Sequence, residues 1–587
     1  MHAKNLTRYR QFPTLSRRRF VTGAAASGAL LSLGMDTGDA EVLPPNAAPQ
    51  ILTGNRFDLT IGFQPVNFTG RQRLATAVNG TVPGPILRWR QGQHIKLHVR
   101  NELAADSSIH WHGIILPTGM DGVPGVSFNG IQPGETFQYQ FDVTQSGTYW
   151  YHSHSGFQEQ TGLYGALVID PIEPEPFSYD RDYVVMLSDW SDDDPEEIYA
   201  TLKKLSHYYN FQNRTIGDLW RDIDQQGMGN TWRARSMWNQ MRMNDRDIAD
   251  VTGYTYTFLM NGRTPDQGWI GLFSAGEKVR LRVINGAAMS FFDVRIPGLQ
   301  MTVVAADGQY IEPVTVDEFR IGVAETYDVI VEPKADVAYT IFAQSMDRTG
   351  YARGTLTPDP SLTAPVPQLD PTPVLSHADM GMGAGMAHDH AAMKHAQQDH
   401  DAARVPARAG AGSNRAVEHP RSEYGPQVDM RASDPAIRLD DPGVGLRDNG
   451  RRVLTYADLR HLHKTPDPRD PSREVQLHLT GNMSRYMWSM DGIKFADAEP
   501  LPVKFGERLR ITFVNDTMMH HPMHMHGIWS DLETGDGAHI PRKHTIVVQP
   551  GAKISYLITA DAMGEWAYHC HLLYHMPGMF RKVVVSL

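Results

Sequence analysis

Three segments of the chain repeat one pattern: NGTVPGPILRWRQGQHIKLHVRN, NGRTPDQGWIGLFSAGEKVRLRVIN and DGIKFADAEPLPVKFGERLRITFVN. In each, an asparagine (Asn101, Asn285, Asn515) stands nine positions after a glycine (Gly92, Gly276, Gly506). The runs KLHVRN, RLRVIN and RITFVN alternate apolar and polar residues between turn residues, which is how half-buried strands read. A unit recurring three times fixes the architecture more firmly than length does. The expectation is an all-β chain of three β-sandwich domains, and 587 residues is more than one core supports.

The histidines keep the same register. His110 and His112 in HWHG follow Asn101 at nine and eleven positions, and His524 and His526 in HMHG follow Asn515 at the same offsets. QPGETFQYQFDVTQSGTYWYHSH and QPGAKISYLITADAMGEWAYHCH align without a gap, which sets His152 and His154 against His569 and His571. The middle repeat carries Val294 and Ile296 where the first pair would fall, so it keeps the fold without the site. All four pairs are spaced i, i+2, and on a strand that spacing turns both side chains to one face. Eight imidazoles can therefore converge between the first and third domains, a donor set that suits copper, zinc, iron or nickel.

Cys570 narrows the choice of metal. It is the chain's single cysteine, so no intramolecular disulfide is open to it. Strand alternation points its sulfur away from His569 and His571 and into its own domain, toward His521 and His575. Two imidazoles, one thiolate and a weak thioether form the ligand set of a blue-copper electron-transfer centre. The first domain has Ser107, Ser153 and Gln158 at the corresponding positions and cannot build a second such centre.

On these motifs, HWHG, HSH, HPMHMHG and HCHLLYH, the chain resembles a three-domain multicopper oxidase over essentially its whole mature length, and within that family the bacterial copper-resistance oxidases. The resemblance implies cupredoxin-like Greek-key domains and four copper ions, one type 1, one type 2 and two type 3. It implies type 1 copper on His521, Cys570 and His575. It implies type 2 copper on His110 and His524, and the type 3 pair on His112, His152, His154, His526, His569 and His571. Electrons would pass from Cys570 to His569 and His571. The family's axial methionine usually lies ten positions after the cysteine, where this chain has Phe580. A one-residue deletion would make Met579 that ligand; Met576, or no thioether at all, are the alternatives. Asp121 matches a family acid that helps the cluster with protons, and it also reads as a turn residue in MDGVPG.

Residues 1–40, with Arg17 to Arg19 before a short alanine-rich run, read as a twin-arginine export signal, which implies a periplasmic protein. No stretch suits stable membrane insertion. The net charge of −11 argues against nucleic acid as a partner. The expected domains are 50–172, 173–360 with a helical insertion at about 195–250, and 451–587, joined through a flexible linker over 361–450. Inside that linker HADMGMGAGMAHDHAAMKHAQQDH offers thioethers and imidazoles suited to additional Cu(I). Met237 and Met241, one helical turn apart, read as core. Met483, Met487, Met490, Met518, Met519, Met523 and Met525 crowd the third domain with sulfur, some of it packing.

The function that follows is an exported monomeric oxidase coupling one-electron oxidation of Cu(I) to four-electron reduction of dioxygen. Periplasmic copper-handling proteins are its expected partners and copper resistance its role. A laccase-like oxidase of phenols or other organic donors is the alternative. A copper-sequestering protein without turnover is a third reading, disfavoured because storage needs no thiolate wired to a cluster.

Overall fold

A computed structural model describes residues 49–382 and 407–587. The expected export signal and the part of the methionine- and histidine-rich tract beyond Met382 lie outside these residues. The described chain folds into six β-sheets, arranged as three pairs that follow the sequence repeat. In the second and third repeats each pair holds a six-stranded and a five-stranded sheet of the same strand order, and the first repeat has a five- and a four-stranded sheet. Neighbouring strands are commonly non-consecutive in the chain, as Greek-key connection requires.

The repeated asparagines have a structural task. Asn101, Asn285 and Asn515 end the strands His94–Asn101, Val279–Asn285 and Arg508–Asn515, and all three are fully buried. Each side-chain oxygen accepts the backbone N–H two residues on, at Leu103, Ala287 and Thr517. Each amide donates to carbonyls of the loop and of a facing segment: Ala105 and Ile131, Ser290 and Ile321, Met519 and Val548. The loop between this strand and the next is thus clamped at its start, which sets the position of the strand carrying the HxH pair. The repeated glycines take the left-handed turn that precedes these strands, with φ of 82°, 87° and 80° at Gly92, Gly276 and Gly506.

Half-burial holds only in the first repeat, where His94–Asn101 alternates as read. The strands Val279–Asn285 and Arg508–Asn515 are buried on both faces. Neighbouring structure covers the polar positions, and the arginines there are paired: Arg280 with Glu175 and Asp328, Arg282 with Asp182, Arg510 with Glu533. Removing one partner of such a pair strands a desolvated charge, at a cost of roughly 3–5 kcal/mol.

The helical insertion is present as Pro195–Leu202, Ile216–Gln226 and Met228–Met241. Its middle helix starts on a capping box between Thr215 and Asp218. The described flanks of the 361–450 segment are irregular, as weak periodicity implies, yet they pack tightly. Leu375, Met380, Met430 and Val444 are buried in the main core, and Arg451 bridges Glu318 and Asp370. Proline and glycine removed the periodicity without removing the anchoring side chains.

Candidate metal centres

The strand His521–Met525 pairs antiparallel with Gly564–Cys570, in register Met523↔Cys570 and His524↔His569. This pairing brings His521, Cys570 and His575 together in the third repeat. The Cys570 sulfur lies 3.4 Å from His521 Nδ1 and 3.8 Å from His575 Nδ1, and the two nitrogens are 3.3 Å apart. The other ring nitrogens are committed elsewhere. His575 Nε2 donates to the Asp250 carboxylate at 2.7 Å. Thr517 donates its hydroxyl proton to Asn515, so that hydroxyl accepts from His521 Nε2 at 2.8 Å. Both Nδ1 lone pairs therefore face the sulfur. Burial pushes the Cys570 thiol up from its usual range, so ionising it there requires a cation in contact.

In the first repeat the equivalent place is filled by neutral groups. Ser107 and Ser153 both donate to the Gln158 side-chain oxygen, at 2.6 and 2.9 Å. The repeat keeps the geometry of the centre and replaces its donors.

The eight paired histidines meet between the first and third repeats. His112, His152 and His571 converge as one buried group, and His110, His154 and His526 as another in which His154 is partly exposed. His569 joins the second, with its Nε2 3.0 Å from His526 Nε2. His110 Nε2, His154 Nε2, His524 Nε2 and both nitrogens of His112 are buried without a hydrogen-bond partner. Orphaned buried nitrogens in that number are costly unless something binds them. Acceptors on the far side of the rings set several tautomers: the Asp121 carbonyl for His110, the His544 carbonyl for His524 and the Cys570 carbonyl for His569. Burial first, then the neighbouring rings, hold His112, His152, His154, His524, His526 and His571 well below the usual imidazole range, in the neutral form that binds metal. Val294 and Ile296 of the middle repeat are plain core.

Asp121 is more than a turn residue. It is buried, and its carboxylate accepts from His526 Nδ1 at 2.9 Å while facing His110 at 3.3 Å. Gly122 follows it with φ 83°, and a Cβ there would lie 1.9 Å from the Ile109 carbonyl oxygen, so the position requires glycine.

Four residues at these centres carry no signal in the repeat. Asp250 comes from the end of the helical insertion, outside the histidine register; burial pushes its carboxyl up to about 7. Thr517 orients His521. Glu159 faces His152 Nδ1 at 2.7 Å. His544 forms a third buried group with His112 and His524, and it is a lone histidine with no i, i+2 partner. Only the three-dimensional arrangement reveals them.

On the axial question, Met579 is fully buried in the same core cluster as Cys570, whose N–H donates to the Met579 carbonyl at 3.0 Å. Met576 is partly exposed, and Phe580 stacks on His569. Met579→Leu should raise the potential of a copper held here, since losing a weak thioether donor favours the reduced ion. The volume-conserving change costs less than about 1.5 kcal/mol of stability. Redox titration of the visible band checks it, and an unchanged potential there with a shift for Met576→Leu reverses the choice.

A trio of two imidazoles and a thiol beside eight converging imidazoles, carried on three repeated sandwiches, defines a multicopper oxidase. The multicopper oxidase family matches residues 60–174, 181–360 and 468–586, and the chain belongs to it. It is similar to copper resistance protein A of Escherichia coli, 56% identical over 97% of this chain and 99% of that one. It is likewise similar to the copper resistance protein A homolog of Pseudomonas syringae pv. tomato, 57% identical over 97% and 99%. Among solved structures, Fet3p, a multicopper oxidase that functions in iron import, shares the fold with a TM-score of 0.63, 18% identity and 91% and 90% coverage. The chain is thus an oxidoreductase whose family complement is four coppers, and its donor groups fit that complement.

Proposed function

We propose that the protein is a periplasmic oxidase that takes electrons one at a time from Cu(I) and delivers them to dioxygen, in the service of copper resistance. In this reading His521, Cys570, His575 and Met579 hold type 1 copper. His110 and His524 hold type 2 copper, and His112, His152, His154, His526, His569 and His571 hold the type 3 pair. Four coppers, when bound, store the four electrons that convert dioxygen to two waters. The observation that carries the reading is the covalent wiring. The sulfur of Cys570 faces one centre while its peptide neighbours His569 and His571 face the other, so two bonded residues separate electron entry from oxygen chemistry. Asp121, touching His526 and lying beside His110, is placed to hold or pass a proton.

Cu(I) as donor has support beyond the relatives' name. His521 and His575 are fully buried, and Trp488 stacks on His575 with ring centres 3.8 Å apart. No imidazole edge is open to a bulky phenol. A narrow pocket is lined by Met289, Met346, Met519, His520 and Asp250, the residue whose carboxylate orients His575. Thioethers and an imidazole favour Cu(I). The wider methionine set is mostly packing: Met483, Met490, Met518, Met523 and Met525 are buried in the core, and Met487 is half-buried. No helix among the described residues is long and apolar enough to cross a membrane.

Dioxygen uptake on one copper-loaded sample, first with Cu(I) and then with a phenol, tests the choice of donor. The proposal expects Cu(I) to drive uptake at least about tenfold faster at equal concentration, a difference of roughly 1.4 kcal/mol in barrier. Faster uptake with the phenol would make the protein laccase-like.

A further inference from the structure

A second set of metal-ligating side chains lies outside the copper centres. His419 and Glu423 belong to the irregular stretch after the tract, Glu423 in the short 3-10 turn Arg421–Tyr424. His478 lies on the strand Arg473–Asn482, and Asp516 directly follows the strand Arg508–Asn515. One ligand atom from each lies within 4.8 Å of the other three. Glu423 and Asp516 are fully buried, His478 is buried and His419 is partly exposed, with 17% of its side chain open to solvent.

The hydrogen bonds around the group hold a proton on each imidazole Nε2 and turn each Nδ1 toward the carboxylates. His419 Nε2 faces the Ala432 carbonyl at 3.2 Å, which can only accept. His478 Nε2 faces Gln476 Oε1 at 3.3 Å, and that oxygen is fixed because it also accepts the Glu418 N–H while the Gln476 amide donates to Ala416. Both imidazoles thus donate from Nε2, and in the neutral form both Nδ1 lone pairs turn inward. They meet carboxylate oxygens: His419 Nδ1 lies 2.8 Å from Glu423 Oε2 and 3.6 Å from Asp516 Oδ2, and His478 Nδ1 lies 2.7 Å from Asp516 Oδ2 and 3.4 Å from Glu423 Oε1. Glu423 Oε1 is buried with no hydrogen-bond partner. Nitrogen–oxygen contacts this short carry a proton on Nδ1 when no cation is present, and a bound cation would take the place of those protons, drawing on both Nδ1 lone pairs and both carboxylates.

From this geometry we propose that His419, Glu423, His478 and Asp516 bind one divalent cation of the zinc class, apart from the four catalytic coppers. Ligand bonds of about 2.1 Å in a tetrahedron separate donor atoms by about 3.4 Å, within the range of the separations seen here. Two carboxylates cancel the charge of the ion, and two imidazoles suit a borderline metal better than Ca2+ or Mg2+. Binding ties the stretch that emerges from the methionine- and histidine-rich tract to two adjacent, parallel strands of the third repeat. It also fixes Asp516, whose neighbour Thr517 orients His521. The site is thus a clamp on the frame of the type 1 centre.

The test uses the full-length, copper-loaded protein, equilibrated with Zn2+, exchanged into metal-free buffer and analysed for metal. The intact protein should retain one more equivalent of zinc than the His419→Gln/Glu423→Gln variant, with the same visible band in both. Binding by the tract is identical in the two proteins and cancels in the difference. Zinc should raise the thermal midpoint of the intact protein and not that of the variant, because a ligand of the native state alone stabilises it. Should the variant fail to fold, X-ray absorption at the zinc edge of the intact protein decides. Four nitrogen and oxygen neighbours, with imidazole scattering and no sulfur, support the site. Equal zinc in both folded proteins, no retention by the intact protein, or sulfur in the zinc shell would overturn it.

Discussion

Replacing Cys570 with serine should bleach the protein. A thiolate bound to oxidised copper absorbs strongly at about 600 nm, and a hydroxyl cannot replace that charge-transfer donor. The residue is fully buried between His521 and His575, so the exchange leaves the site's shape almost unchanged. The eight histidines between the repeats lose no donor, and the cluster coppers should remain bound. Turnover should nevertheless fall by several orders of magnitude, because electrons have no entry. Absorption spectroscopy with metal analysis reads all three effects. A blue Cys570→Ser protein would refute the assignment of the thiolate.

Substitution on the opposite side should have the complementary effect. His112 sits in a converging group with His152 and His571, and His154 in another with His110 and His526; neither touches the sulfur site. His112→Ala or His154→Ala should cut dioxygen reduction about a hundredfold or more, since even partners one step removed from a metal cost 10–100-fold when lost. The type 1 centre should stay blue and reducible by Cu(I). Stopped-flow reduction under anaerobic conditions separates the two halves. Loss of the blue band from folded protein in either variant would mean that the centres are not partitioned as described.

The contrast between these variants was legible before the structure because the repeat fixes both register and spacing. Once Asn101 and Asn515 are aligned, the histidine pairs fall at equal offsets, and strand geometry allows them only one face. The absent pair at Val294 and Ile296 reads off the same way. What the repeat cannot supply is anything contributed by one copy alone. Asp250 reaches His575 from an insertion of the second repeat, and Glu159 and His544 have no counterparts in the other copies. Arg280 and Arg510 looked like solvent-facing positions of half-buried strands, because alternation reports a polar face and not what later covers it. The packed flanks of the 361–450 segment were obscured for a related reason: irregular chain can anchor through single residues such as Leu375 and Met430, which leave no period.

With Cu(I) as donor, electrons enter at Cys570 and end in water, four for each dioxygen. The most direct measurement is the ratio of Cu(I) oxidised to dioxygen consumed, with hydrogen peroxide assayed in the same vessel. About four Cu(I) per dioxygen and no accumulated peroxide are expected, since four coppers together supply all four electrons and release no partly reduced oxygen. A ratio near two with peroxide formed, or oxidation of Cu(I) that persists unchanged in Cys570→Ser, would contradict this.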